Sequence, residues 1–241
     1  LDEVMRTVVN NTGEVRAQTI QEKNGKIYLL GGMENDRIEV DGKLDASAPT
    51  TGDGGFIETS SANVVLKETK QVTTKAKTGK TGTFLIDPND YTIAASGGNI
   101  TGTQLGTDLA NNNVQISTAT QGTTGGNGDI HVNDAVTWSS NHSLTLTAER
   151  NININADITA NGATGKLVLE YGQGSVAASN TAKYTIASGK KVNLAAGQNF
   201  DTKLGSNGTV TNWTVITALG TAGDEGSNVA NSLQSLANSA N

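Results

Sequence analysis

Asp87 and Asp90 stand three positions apart around Pro88, and a carboxylate pair of this kind is the first place to look for acid–base work or a bound Ca²⁺. Such a site needs further acids and an Arg or Lys converging on the same face. Asp108, Asp129 and Asp134 are instead isolated among Gly and Asn, and arginine occurs only as Arg6, Arg16, Arg37 and Arg150. The Asp87–Asp90 pair therefore reads as a turn, and no catalytic residue is assigned. Gly125-Gly126-Asn127-Gly128-Asp129 comes close to a Gly-rich Ca²⁺-binding nonapeptide. Its Asp falls one position early and the run occurs once, whereas a Ca²⁺ roll needs tandem copies. It too reads as a turn.

His131 and His142 are the only histidines, and they lie 11 positions apart with no cysteine or acidic cluster beside them. Without co-ligands they read as two surface histidines, so neither a metal nor a haem is assigned and no cofactor is expected. Trp138 and Trp213, with Tyr28, Tyr91, Tyr171 and Tyr184, have the chemistry of a glycan-stacking strip. Spread over the whole chain, they read better as fillers of wide points in a core or as caps at its ends. Sequons for N-glycosylation start at Asn10, Asn99, Asn141, Asn207 and Asn212. With Asn, Ser and Thr this abundant, about five are expected by chance, so these are permitted sites and no more.

The elements that must carry these residues are short strands. Asn11-Thr12-Gly13-Glu14-Val15-Arg16-Ala17-Gln18 followed by Asn24-Gly25-Lys26-Ile27-Tyr28-Leu29 recurs as Val40-Asp41-Gly42-Lys43-Leu44-Asp45-Ala46-Ser47 followed by Gly54-Gly55-Phe56-Ile57-Glu58-Thr59. Gly13 matches Gly42, Val15 matches Leu44, Ala17 matches Ala46 and Ile27 matches Ile57. The offset of roughly 30 residues is that of stacked supersecondary units, each unable to bury its own inner face until a neighbour covers it. Apolar residues make up 35% of the 241 and aromatics 4%, too little for a wide globular core but enough for a narrow one. Strand signals continue to Asn212–Ile216, and the clearest is Asn151-Ile152-Asn153-Ile154-Asn155. There the isoleucines face a core and the asparagines face water or stack as a ladder between coils. Helix is scarce. Between Gly102 and Asn111 only Leu105 and Leu109 have i, i+4 spacing, which predicts no more than a helical turn over Thr107–Asn111. The fold class expected from the residues is all-β, a solenoid of stacked coils, about ten at ~4.8 Å each.

A net charge of −6 argues against nucleic acid as partner, no apolar run is long enough to predict a membrane span, and the lack of cysteine excludes disulfides. Residues 1–220 are expected to form one shaft, and residues 221–241 a frayed or disordered tail leading into a longer protein. No signal peptide is visible at Leu1, which begins inside a repeat, so the chain reads as an excised fragment.

Gly54-Gly55-Phe56-Ile57-Glu58-Thr59-Ser60, followed by Leu85-Ile86-Asp87-Pro88-Asn89-Asp90-Tyr91-Thr92-Ile93, resembles a motif pair of the large exoproteins of bacterial two-partner secretion. These include filamentous-haemagglutinin-like proteins, high-molecular-weight adhesins and haem–haemopexin utilisation proteins. Trp138-Ser139-Ser140-Asn141, Leu167-Val168-Leu169-Glu170-Tyr171-Gly172 and Trp213-Thr214-Val215-Ile216 resemble the segments that follow, so the likeness runs from about Leu1 to Gly220. The family's secretion domain carries Asn-Pro-Asn motifs, and Asp87-Pro88-Asn89 is a near match in a different context. The resemblance thus implies the shaft just downstream of that domain. It implies a right-handed parallel β-helix, secretion to the bacterial cell surface through an outer-membrane two-partner transporter, and attachment to a host cell-surface protein or glycan. A monomer and no enzymatic activity are expected. The alternative is a nutrient-acquisition exoprotein that docks a host haem carrier through a long loop, for which 96–113 and 118–129 are the candidates. A polysaccharide-active β-helix enzyme is a third reading.

Overall fold

The computed structural model describes residues 7–19, 24–122, 126–220 and 232–233. The chain winds through successive coils in which a strand on one long face is followed by shorter elements on two other faces. A first partial coil holds β1 (Thr7–Asn11) and β2 (Glu14–Arg16). Two coils of three strands follow. They are β3 (Lys26–Leu30), β4 (Arg37–Val40) and β5 (Lys43–Asp45), then β6 (Phe56–Ser60), β7 (Asn63–Leu66) and β8 (Gln71–Thr73). The next coil has β9 (Thr83–Asp87), β10 (Tyr91–Ile93) and a helix, α1 (Gly102–Leu109), in the third place. Strands return with β11 (Asn113–Ser117), β12 (Ile130–Val132) and β13 (Val136–Trp138), then β14 (Ser143–Thr147), β15 (Ile152–Ile154) and β16 (Ile158–Ala160). After them come β17 (Lys166–Tyr171), β18 (Tyr184–Ile186) and β19 (Val192–Asn193), and the last strands among the described residues are β20 (Gly197–Leu204) and β21 (Thr211–Val215).

The long face is one sheet in the order β21-β20-β17-β14-β11-β9-β6-β3, parallel throughout except for β21, which turns back antiparallel on β20. This is a parallel β-solenoid of about seven turns. The repeats matched in the sequence are register partners: Ile27 lies opposite Ile57, and Val15 opposite Leu44. Continuing the first column, Ile57, Phe84, Val114, Leu144, Leu167 and Phe200 succeed one another across the ladders. The steps range from 23 residues, Leu144 to Leu167, to 33, Leu167 to Phe200. Coils of that length explain why the expected ten become seven.

Alternation decides what faces inward. Ile152 and Ile154 are fully buried while Asn151, Asn153 and Asn155 lie on the outer side. The asparagine ladder is present in part, because Asn155 Nδ2 donates to Asn133 Oδ1 of the preceding coil at 2.8 Å and Asn153 Oδ1 accepts from Thr185 Oγ1 of the next at 3.3 Å. Each fully buried Ile, Leu or Phe in these columns contributes about 1.5–3 kcal/mol by leaving water. At the corner leading into the long face the coils touch through bare backbone. A Cβ on Gly55 would lie 2.0 Å from the carbonyl oxygen of Gly25, and one on Gly82 would lie 1.8 Å from that of Gly55. Only glycine fits such a stack.

Several elements differ from expectation. Strand β2 ends at Arg16, one residue short of Ala17, the repeat match of Ala46. Strand β20 has a single large apolar residue in its first half, Phe200, and so carried no pattern signal. Strand β21 forms where expected but runs antiparallel, with four of its five residues exposed. The tail over 221–241 lies outside the described residues except Ser232 and Leu233, where the Leu233 N–H donates to the Ala218 carbonyl at 3.1 Å. Among the described residues no helix is long and apolar enough to cross a membrane.

Candidate interaction surfaces

Helix α1 replaces a strand on the third face and divides that face into two sheets, β2-β5-β8 and β13-β16-β19. Its start is fixed by Thr101, whose side chain accepts the Gln104 N–H at 3.2 Å, and by Asp134 Oδ2, which accepts the Gly102 N–H at 2.7 Å. Leu105 and Leu109 are both fully buried. The sequence predicted only a helical turn here because one apolar pair is a narrow face. That pair suffices because a second contact is made by glycine: a Cβ on Gly106 would lie 2.3 Å from the Thr137 carbonyl oxygen of β13.

Inserting a helix leaves β8, paired with β5 on one side, without a strand partner on the side of the next coil, and side chains take its place. Gln104 Nε2 donates to the Lys67 carbonyl, and Asn112 Nδ2 donates to the Val72 carbonyl at 3.1 Å. Lys70 reaches under the helix and its Nζ contacts both carboxylate oxygens of Asp108, at 2.9 and 2.8 Å. Both side chains are closed to solvent, at 1% and 4% exposure. Burial pushes the Asp108 carboxyl up from its ordinary value, against the pull of the Lys70 ammonium. Fully buried Tyr91 has a hydroxyl without a hydrogen-bond partner, and burial, then the charge of Asp108, pushes its pKa well above 10.0. Clefts of about 540 and 350 Å³ flank the helix, and Lys70 and Asp108 line both. The two charges neutralise each other and act as an anchor for α1. Asp108 is therefore far from the isolated surface acid that its sequence neighbours suggested.

Asp129 and Asp90 hold a turn. Arg150 grips Asp129 with Nε to Oδ1 at 2.9 Å and Nη2 to Oδ2 at 2.6 Å, and Asp129 Oδ1 also accepts the Asn151 N–H. Burial raises the Asp129 carboxyl, but Arg150 and the Asn151 N–H together hold it below its ordinary value. Asp90 Oδ1 accepts the Asp129 N–H at 3.0 Å, so Asp90 and Asp129 close one corner together. Asp87 is not part of that turn. It is the last residue of β9 and only 8% exposed. Its Oδ2 accepts from Ser60, at 3.4 Å, while its Oδ1 has no partner. Burial pushes its carboxyl up, opposed by hydrogen bonds from Thr120, Ser117 and Ser60. Among the described residues, no three His, Asp or Glu side chains come together as a metal-binding group.

The histidines part company. His131 sits in β12 between Thr92 and Asn153 in register. His142 is no free surface residue: its Nδ1 lies 2.6 Å from the Leu109 carbonyl and its Nε2 lies 3.0 Å from Thr81 Oγ1. A carbonyl only accepts, so Nδ1 carries the proton and, in the neutral ring, Nε2 accepts from Thr81. Ser140 Oγ donates to the same carbonyl at 2.6 Å, so two side chains satisfy the end of α1. Among the aromatics, Tyr91 and Trp138 are buried in the core, whereas Tyr28 and Trp213 are each 48% exposed on the two outermost strands of the long face. Tyr171, Tyr184 and Phe200 form an edge-to-face cluster.

The five sequon asparagines also separate. Asn10, Asn141, Asn207 and Asn212 are exposed. Asn99 is half-buried, with Nδ2 donating to the Val64 carbonyl at 3.3 Å and Oδ1 accepting the Thr92 N–H at 2.9 Å, and so joins β10 to the preceding coil. No family model matches the chain, and neither a curated protein nor a solved structure matches it.

Proposed function

We propose that this chain is a shaft segment of a secreted bacterial surface adhesin or filament of the two-partner secretion kind. It holds binding surfaces away from the cell, attaches to a host cell-surface protein or glycan, and performs no reaction. The observation that carries this reading is that the motif pair of the resemblance falls on adjacent strands of one parallel solenoid. Phe56 to Ser60 form β6, and Leu85 to Asp87 complete β9, with Thr59 opposite Ile86. Repetition suits export, because coils can assemble one on another as the chain emerges, through nearest-neighbour contacts. Recognition would then lie on corners and loops held by the rigid ladder.

The haem-carrier alternative needs a loop that leaves the shaft. Of its two candidates, 96–113 contains α1, Gly102–Leu109, which packs against β13. The deciding experiment presents the purified chain in parallel to cultured host cells, a glycan array and haemopexin. Saturable attachment to cells or glycans is expected. Binding to haemopexin alone would replace the adhesin reading, and turnover of any arrayed glycan would replace it with an enzyme.

A further inference from the structure

Among the ion pairs of the described residues, Lys70 with Asp108 is the one in which both side chains are closed to solvent. In every other pair at least one partner is a quarter exposed or more. Taking two charges out of water can cost more than their attraction returns, so burial of such a pair is a poor device for stability alone. An amine and a carboxyl held in contact away from water are, however, the reactants of a condensation.

The geometry suits that reaction. Nζ stands 2.9 and 2.8 Å from the two carboxylate oxygens. The carboxyl carbon between them is then within about 3.5 Å of Nζ, the separation of a near-attack pair. Both ends are fixed. The Gln71 N–H donates to the Gly42 carbonyl at 3.0 Å, and the Asp108 carbonyl accepts from Asn112 Nδ2 at 2.8 Å and from the Asn111 N–H at 3.0 Å. Burial favours the uncharged acid at Asp108, the form that an amine can attack. Tyr91, fully buried and close enough to feel the Asp108 charge, has a hydroxyl with no partner and is an uncommitted proton donor in the same interior.

We propose that Lys70 and Asp108 condense into an intramolecular amide, a covalent cross-link between the coil that holds α1 and the coil before it. A proton passes from the ammonium to the carboxylate, leaving a neutral amine and a carboxylic acid. The carboxyl turns about its Cβ–Cγ bond to present its face, and the Nζ lone pair forms the C–N bond at Cγ. As charge develops on the carboxyl oxygen, the Tyr91 O–H is the group free to donate to it. The acid hydroxyl then leaves with a second Nζ proton as one water molecule, and the amide keeps the last Nζ hydrogen. No oxidant or co-reactant is consumed. The water has an exit, since both residues line the clefts beside α1. The link joins residues 38 positions apart in a chain without cysteine, and so constrains the unfolded chain as a disulfide would. It depends on this contact and not on the adhesin reading. The ion pair is the open form. Open and closed forms differ in mass, so unfolding of the open form reports the charges and unfolding of the closed form reports the link.

The test is the intact mass of the purified natural chain, measured in denaturant after storage in the folded state, followed by tryptic mapping. A species lighter by one water is expected. Trypsin does not cut at an acylated lysine, so it should release one branched peptide that joins Glu68–Lys75 to Thr81–Arg150. Fragmentation should place the branch at Lys70 and Asp108. Lys70→Arg keeps the positive charge but has no nucleophilic amine, and should keep the full mass. Tyr91→Phe loses a hydroxyl that has no partner, so it should fold and should lose water about tenfold more slowly or worse. A succinimide at Asp41-Gly42 or Asp53-Gly54 also sheds water, but it carries no branch and persists in Lys70→Arg. A natural chain that keeps its full mass overturns the proposal. So does water loss that is undiminished in Lys70→Arg, or equally fast in a chain held unfolded in urea. The branched peptide decides the matter even where Lys70→Arg does not fold. A Tyr91→Phe chain that closes at the natural rate overturns the part given to Tyr91 alone.

Discussion

Lys70 and Asp108 are 38 positions apart in sequence, yet Nζ and Oδ2 meet at 2.8 Å beneath helix α1, out of reach of solvent. This contact joins the coil that holds α1 to the strand coil before it. Asp108→Ala leaves a buried ammonium with no counter-charge and is expected to cost about 3–5 kcal/mol. The double change Lys70→Met/Asp108→Leu removes both charges and keeps the volume, and should cost far less. Denaturant melts of the three proteins check this. A double variant as unstable as Asp108→Ala would mean that the pair contributes by shape and not by charge.

Alanine usually outranks glycine in a helix interior by about 1 kcal/mol. Gly106→Ala is expected to reverse that sign, losing about 1–3 kcal/mol, because the new methyl group would meet the Thr137 carbonyl at 2.3 Å. Thr103→Ala, on the exposed side of the same helix, should change stability by less than about 0.5 kcal/mol. Thermal unfolding of both variants is the measurement, and a stabilised Gly106→Ala protein would show that α1 does not rest on β13.

Inward and outward positions of β15 differ by one residue. Ile154→Asp buries a charge among apolar neighbours and should cost several kcal/mol, whereas Asn153→Asp, on the outer side, should cost little. Equal melting temperatures would contradict the facing of this strand.

Asn99 and Asn10 offer the same sequon chemistry in different settings. Asn99→Ala removes two hydrogen bonds between half-buried groups and is expected to cost about 1–3 kcal/mol. Asn10→Ala should stay within about 0.5 kcal/mol. Matching losses for the two would mean that Asn99 does not tie its coil down.

Asp87 and Asp129 shift in opposite directions, so they shape the two sides of the acid range. Burial raises the Asp87 carboxyl above 3.8, so the folded chain holds that proton more tightly than the unfolded one. The resulting stabilisation is complete below 3.8 and is lost as pH rises through the folded value. Asp129 is held below 3.8, so its contribution is present above 3.8 and is lost as pH falls through its folded value. Melting temperature measured from pH 7 to pH 3 should respond accordingly. Asp87→Asn flattens the relative gain on acidification toward 3.8, and Asp129→Asn lowers stability at pH 7 while softening the loss below 3.8. Profiles parallel to that of the natural chain would show that neither carboxyl is perturbed.

Much of the architecture is local and therefore readable along the chain. Alternation in Ile152–Ile154 sets which side chains enter the core, and the matched pairs Ile27 with Ile57 and Val15 with Leu44 identify coil neighbours from residue types alone. Both follow from the two-residue period of a strand and from stacking of like on like. Contacts that depend on how much chain lies between coils were not readable. A step of 23 residues beside one of 33 decides which corner meets which, and no residue pattern encodes that spacing. Lys70 finds Asp108, His142 closes the end of α1, and Asp87 goes under cover only once the coils are stacked, because each of these groups takes its environment from another turn of the solenoid.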